Sequence, residues 1–376
     1  MIERHQYALM LSGGGARAAY QVGVMKALTH CLPRNHQIPF PILCGTSAGA
    51  INAAAMACYA SCYHLGVRKL EWVWKNFKTQ QVYDCSFSST FRYILGNYFS
   101  SYRSAISSRH ASSLLNNQPL RQLIKKTLDF SRLDRNILNG YLRSLSITAS
   151  SYTRRDCVSY FQGVDGLEEW NRHRRRGMAT TLEVEHLMAS SAIPLVFPTV
   201  RIGDEYLGDG AIHQFSPLST PIHLGARKIL VIGVDKEVND SAFRIDKQTP
   251  NSATIAGHLL DTVFADTLDA DLERLLRVNQ TLSIFTRKQQ QQTTLKQIDC
   301  MVISPSQSIK ELAQKHYSLL PSGVKALFRM MGVSANSDSS LLSYLLFEGP
   351  FCQELIHLGY KDGQERIGEL QEFLSI

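Results

Sequence analysis

Three absences narrow the possibilities for this chain before any motif is considered. No two of its eight cysteines form a C-x-x-C pair: Cys31, Cys44, Cys58, Cys62, Cys85, Cys157, Cys300 and Cys352 are scattered. Their spacing offers neither a zinc site nor a disulfide framework, and it suits a reducing compartment. Cys58 and Cys62 are four apart on an expected helix and read as small buried apolar residues. Long apolar runs are missing too. No stretch reaches the roughly 18 residues of a membrane-crossing helix, and the N-terminal run Tyr7–Leu11 is too short for a signal-peptide core. The third absence is acidic: between Glu3 and Glu71 there is no Asp or Glu at all. An acidic loop of the kind calcium needs is missing as well. The expectation is a cytoplasmic protein without metal or cofactor.

What is present is an ordinary globular composition with excess positive charge. Hydrophobic residues make up 44% of 376 residues, enough for one large α/β domain with additions or for two ordinary domains. Net charge is +8. That suits nucleic acid, an anionic membrane surface or an acidic substrate. The densest basic runs are Arg172–Arg176 and Thr153–Arg155. Each reads first as a solvated loop and, more sharply, as a peripheral patch for anionic headgroups. Aromatics do not interleave with the basic residues as single-strand binders require, and no helix-turn-helix or zinc pattern appears. No nucleic-acid partner is expected, although a non-catalytic basic binding protein stays as one alternative. No internal repeat is present.

Apolar patterning predicts a strand at Tyr7–Leu11, a glycine turn and a helix, then a strand ending in "ILCGT" and an alanine-rich helix. Repetition of strand, turn and helix is the signature of a parallel sheet covered by helices. Residues 66–78 read as an amphipathic helix on which Trp72 and Trp74, two apart, cannot both face the core. The Ser-, Tyr- and Phe-rich stretch 83–113 reads equally as a lid or membrane contact and as a packed connection. A helix opening at Pro119, two strands around a turn near 150–156, a helix before Pro194, a short strand ending at Asp209 and the strand "KILVIGV" follow. Beyond Asp235 the chain is polar and mainly helical, with one returning strand near 299–304.

Two glycine-rich turns carry the chemistry. Gly13, Gly14 and Gly15 follow a strand and open a helix, so bare N–H groups there hold negative charge. Gly13-x-Gly15-x-x-Ala18 matches a relaxed dinucleotide fingerprint, which wants an acid about 20 residues on. The acid-free stretch up to Glu71 favours the other use of such a turn, an oxyanion hole. The second turn is Gly45-x-Ser47-x-Gly49, between an apolar strand and an Ala-rich helix. A nucleophile elbow needs this context, with small neighbours that let a strained turn close. A Ser N-cap would explain one serine but not both glycines. A base is harder to place. His186, His213 and His223 are the best of twelve histidines, and each reads more simply as a surface or boundary residue. Asp209, between Gly208 and Gly210, has the address of a functional acid but, taken alone, reads first as part of a β-turn.

In that order, "GGGARA", "GTSAG" and "DGA", with the flanks "MASSAIPLVFPTV" and "LGARKILVIGV", resemble the patatin-like phospholipases, and the C-terminal "SYLLFEGPFCQELIHLGYKDG" resembles the tail of bacterial members. The resemblance implies a three-layer α/β/α sandwich with a mostly parallel central sheet over 5–235 and a helical C-terminal extension over 236–376. It implies a carboxylic ester hydrolase that breaks down lipids through a Ser-Asp dyad: Ser47 as nucleophile, Asp209 as general base. Gly14 and Gly15, with Gly13 shaping the turn, would form the oxyanion hole, supported by Arg17, Gly45, Gly49 and Gly210. Arg17 would either brace the loop or attract phosphate. The substrate implied is a phospholipid or lysophospholipid, with peripheral contact to an anionic membrane. A soluble esterase or thioesterase with the same dyad is the alternative; oligomeric state is left open. One position departs from the family pattern, which has glycine where this chain has Ala18. That is harmless in a helical conformation and damaging at positive φ.

Overall fold

The computed structural model describes residues 4–84, 113–235, 266–286, 288–289, 292–330 and 340–375. Most of the aromatic stretch 83–113 therefore lies outside the described residues. The strands are β1 (Tyr7–Leu11), β2 (Ile42–Thr46), β3 (Ser144–Ser151), β4 (Asp156–Gly163), β5 (Trp170–Arg172), β6 (Arg175–Ala179), β7 (Val200–Ile202), β8 (Glu205–Asp209), β9 (Lys228–Ile232) and β10 (Asp299–Ile303). The helices are α1 (Ala19–Leu28), α2 (Ala48–Cys58), α3 (Tyr63–Lys75), α4 (Gln118–Thr127), α5 (Ser131–Leu138), α6 (Val184–Ser190), α7 (Ser219–His223), α8 (Asp266–Ile284), α9 (Ile309–Lys315), α10 (Ser322–Met330), α11 (Leu341–Leu345), α12 (Gly349–Glu365) and α13 (Ile367–Leu374).

All ten strands join one sheet, in the order β10-β9-β1-β2-β3-β4-β6-β5, with β8 on the end of β3 and β7 on β8. The run from β10 to β3 is parallel throughout. Its strands read as continuous apolar segments because both faces are covered. Alternation along the strand then sorts the side chains into two cores. Leu9, Leu11, Leu43, Leu230 and Ile232 pack beneath the layer of α1, α2 and α3. Ala8, Met10, Ile42, Cys44, Ile229 and Val231 pack on the other side, against Leu218 and Leu275 of the α7 and α8 layer. The architecture is the expected α/β/α sandwich with a mostly parallel sheet. Of the tryptophan pair, Trp74 is buried and Trp72 is 66% exposed.

The C-terminal chain is built into this frame. The returning strand β10 extends the sheet beyond β9. Helix α12 lies along α1, with Tyr20 donating to Asp362 at 2.9 Å. The two helices touch backbone to backbone through glycines: a Cβ on Gly23 would lie 2.1 Å from the Ile356 carbonyl, and one on Gly359 would lie 2.1 Å from that of Tyr20.

Two local readings change and a third is extended. Arg175 and Arg176 are not loop residues but the start of β6, paired with Cys157 and Val158. Arg176 is buried, held by Asp156 of β4 at 2.9 Å and by Glu205 of β8. Two carboxylates, one from β4 and one from β8, make that burial tolerable. Cys58 and Cys62 do not share a helix, since α2 ends at Cys58 and Cys62 caps α3. The short strand before Asp209 is one arm of a hairpin, β7–β8, turned by Gly203 at φ 59°.

Overpacking the α1–α12 contact should be costly. Gly359→Ala is expected to destabilise by about 2 kcal/mol or more. Gly368→Ala, where an added Cβ meets nothing within 4 Å, is expected to be neutral or slightly stabilising. Thermal melts of both variants check this; equal melting points would refute the close packing.

Candidate active site

Parallel pairing of β1 with β2 sets their carboxyl ends side by side, the place where open α/β sheets bind ligands. Ser47 follows β2 directly and caps α2 with φ 55° and ψ −129°. A serine at that conformation stores roughly 1–3 kcal/mol of strain, so the surroundings must enforce it. The glycines do so by letting backbone segments meet. A Cβ on Gly45 would lie 2.5 Å from Ala50 Cα, and one on Gly49 would lie 2.3 Å from the Leu11 carbonyl. The Ser47 N–H donates to Ser190 Oγ at 2.8 Å, and that hydroxyl donates to the Thr148 carbonyl at 2.6 Å. The elbow is thereby tied to α6 and β3.

Asp209 ends β8, which pairs antiparallel with β3 through Ala149↔Asp209. Its Oδ1 accepts from the Ala211 N–H at 3.0 Å, while Oδ2 has no hydrogen-bond partner of regular geometry. The Ser47 hydroxyl is close enough to stabilise the carboxylate, but complete burial dominates and pushes its pKa up to about 7. Desolvation of an unpaired carboxylate is the cause. The Asp-Gly step is dictated by packing as well as by turning: a Cβ on Gly210 would lie 2.2 Å from the Thr148 carbonyl.

The glycine turn runs from the end of β1 into a short 3-10 helix, Gly15–Ala18. Gly15 has φ +56°, and a Cβ on it would lie 2.2 Å from the Tyr344 carbonyl. Among the described residues, neither the Gly14 nor the Gly15 N–H finds a hydrogen-bond partner. Gly13 is buried beside them. Ala18 has φ −63° and ψ −10°, an ordinary right-handed conformation, so its methyl group introduces no backbone strain. Arg17 is buried. Its Nε donates to Ser343 Oγ at 2.8 Å, its guanidinium lies 3.9 Å from the Tyr344 ring centre, and it pairs with Asp235. Of the two roles open to it, bracing the loop is the one its contacts fit.

Sequence reasoning missed the support behind these turns. Gln21 donates to the Ser12 carbonyl at 2.8 Å. Asn52 donates to Gln21 at 2.9 Å and to the Ala18 carbonyl at 3.1 Å, and accepts from Trp74 at 2.9 Å. This buried network joins α1, α2 and α3 beneath the site. Neither Ser190 nor Asn52 has a local signature, because their partners are distant in the chain. The three histidines lie elsewhere. His186 accepts from the Glu183 N–H at 3.0 Å as a helix cap, His223 stacks on Trp170, and His213 faces Asp156 and Arg174.

A cavity of about 350 Å³ reaches Ser47. Its wall is apolar, with Ile51, Leu70, Trp74, Phe77, Leu120 and Phe347 among the lining residues. No cluster of His, Cys, Asp and Glu suited to a metal occurs among the described residues.

A strained serine elbow, a buried aspartate and a glycine turn thus meet at one end of a mostly parallel α/β/α sheet. The family model "Patatin-like phospholipase" matches residues 9–222, and the chain belongs to that family. Its domain supports lipid acyl hydrolase activity in general. The chain is 42% identical over 65 residues to "Patatin-like phospholipase domain-containing protein 7" of Rattus norvegicus, a match covering 17% of this chain and 4% of that protein. The same protein of Mus musculus is 38% identical over 72 residues, 19% of this chain and 5% of that one. A likeness to the crystal structure of VipD from Legionella pneumophila has TM-score 0.40 and 13% identity, over 97% of this chain and 67% of that one. No helix of the described residues is long and apolar enough to cross a membrane.

Removing the elbow's anchor should loosen it. Ser190→Ala leaves the buried Ser47 N–H unpaired, at an expected cost of about 1–3 kcal/mol, with slower labelling of Ser47 by a fluorophosphonate probe; an unchanged melt and labelling rate would refute that role. Ala18→Gly, by contrast, is expected to lower stability by roughly 0.5–1 kcal/mol without raising activity, as a melt and an ester assay will show.

Proposed function

We propose that the chain is a carboxylic ester hydrolase that cleaves fatty acyl esters of phospholipids or lysophospholipids through a Ser47–Asp209 dyad. The observation that carries this reading is Asp209 itself: fully buried, with a free Oδ2, next to a serine on a strained turn. An ordinary carboxylate, with a pKa of about 3.9, is too weak a base for a serine. One lifted to about 7 is matched to neutral pH.

Ser47 Oγ attacks the ester carbonyl as Asp209 Oδ2 takes its proton. The tetrahedral oxyanion receives the N–H groups of Gly14 and Gly15, with Gly13 holding the turn and the N-terminal end of α2 adding positive potential. Collapse breaks the ester bond. The departing alkoxide takes the proton from Asp209 and leaves an acyl-Ser47 ester. Water, deprotonated by Asp209, then adds to that ester; the fatty acid departs and the proton returns to Ser47. Gly45, Gly49 and Gly210 permit the close approaches, and Arg17 braces the glycine turn.

The cavity bears on the substrate, since its largely apolar wall suits a fatty acyl chain. A soluble esterase acting on short monomeric esters would use the same chemistry.

Ser47→Ala and Asp209→Asn are each expected to lose nearly all release of free fatty acid from phospholipid vesicles; activity surviving in Ser47→Ala would overturn the mechanism. The pH dependence has a definite sign. Asp209 must be ionised to act, so kcat/KM should rise with pH and level off above about 7. Stability moves the other way. The native state holds a proton that the unfolded chain releases above its lower pKa, so folding stability falls as pH climbs from about 4 to 7. Asp209→Asn should lack that part of the decline, visible as a flatter plot of melting temperature against pH.

A further inference from the structure

The cavity that reaches Ser47 is exposed at one part of its wall. Ser47 is only 1% exposed. Most of the cavity wall is buried, and the lining residues that are exposed mark its opening: Lys69 and Trp72 of α3, and Lys126 and Thr127 at the end of α4. Trp72, at 66% exposure, is the most exposed tryptophan among the described residues. An indole on the surface costs little where a membrane interface covers it, since such rings prefer the boundary between hydrocarbon and water.

Among the described residues, the charged side chains that line the cavity are both basic, Lys69 and Lys126. Arg68 and Lys125 are exposed beside Lys69 and Lys126. Helix α4 contains no acidic residue. The one acid of α3, Glu71, is engaged by Lys26 at 2.9 Å and by Lys75 at 2.5 Å. Asp129, just beyond α4, pairs with Arg135 at 3.8 Å. No acid of either helix is left to offset Lys69 or Lys126. The long basic run at Arg172–Arg176 looked the better candidate by composition. Its turn lies at the same end of the sheet as Ser47, but on the edge strand β5 and its neighbour β6, with Arg176 consumed by internal ion pairs. None of its residues lines the cavity.

We propose that the α3–α4 rim, Trp72 flanked by Lys69 and Lys126, is the surface that docks on an anionic lipid bilayer and passes an acyl chain into the cavity. The indole sits at the level of the headgroups, the lysine stems lie on apolar surface with their ammonium groups toward lipid phosphate, and the apolar wall behind them takes the chain. The inference rests on the ester-hydrolase reading for the fate of that chain, but the docking itself does not require turnover.

The test uses the full chain carrying Ser47→Ala, so that no substrate is consumed, co-sedimented with phosphatidylcholine vesicles with and without phosphatidylserine. Binding is expected to be stronger with phosphatidylserine and to weaken with salt. Lys69→Glu with Lys126→Glu should lower the partition coefficient by about fivefold per lysine or more, and Trp72→Ala should lower it on both vesicle types. Arg172→Glu with Arg174→Glu should leave it nearly unchanged. Unaltered melting curves will show that these exposed substitutions keep the fold. Equal binding by the rim variants, a loss confined to the Arg172 and Arg174 variant, or no vesicle binding by the Ser47→Ala chain would each overturn the proposal. Failure of the catalytic reading would show separately, as ester hydrolysis persisting in Ser47→Ala while the vesicle result stands.

Discussion

The contact on which the site depends is the approach of two strand ends, β1 and β2, to within backbone distance of each other. Gly49, in the first turn of α2, sits where any side chain would strike the Leu11 and Ser12 carbonyls. That approach puts the glycine turn after β1 beside the serine turn after β2. Each turn alone is a common device. Together they place bare N–H groups next to a hydroxyl held at positive φ, and the strain at Ser47 persists because the sheet, Ser190 and the neighbouring glycines over-determine it. Asp209 arrives from a third direction, on a hairpin that leans on the end of β3.

The rest of the molecule reads as support for that junction. Layers of helices on both faces bury β1, β2 and β9, which keeps the strand ends from shifting. The C-terminal chain contributes directly. Tyr344 fills the space that a side chain on Gly15 would need, Ser343 and Tyr344 engage Arg17, and Phe347 lines the cavity. The cavity wall thus includes Phe347, a residue 300 positions from Ser47. Burial has a second effect, at Asp209. The desolvation that raises its pKa disfavours the charged native state and at the same time gives the carboxylate a basicity matched to neutral pH. Stability and proposed function draw on the same group in opposite senses.

Much of the fold was legible because its signals are local. Tyr7–Leu11 and "ILCGT" are short apolar runs ended by glycine, and alternation of such runs with helices specifies a parallel sheet. Gly45-x-Ser47-x-Gly49 was legible for the same reason, as every residue the turn needs lies within five positions. Arg176 misled because a residue in a basic run looks solvated until its partners are known. Asp156 and Glu205 lie on strands that only pairing brings to Arg176. Ser190, Gln21 and Asn52 were invisible in the same way, being polar residues whose use is decided by contacts across the core.

The sequence by itself determined the strand–turn–helix units, the two glycine-rich turns and the order in which the motifs occur, since these depend on backbone sterics and hydrophobic period within a few residues. Tertiary structure alone decided that Asp209 is completely buried, that Ala18 is unstrained, that Arg17 meets Ser343, Tyr344 and Asp235, and that Lys69, Trp72 and Lys126 lie on the exposed part of the cavity wall. Each of those is a matter of burial or of contact between distant segments, and neither quantity exists until the chain has packed.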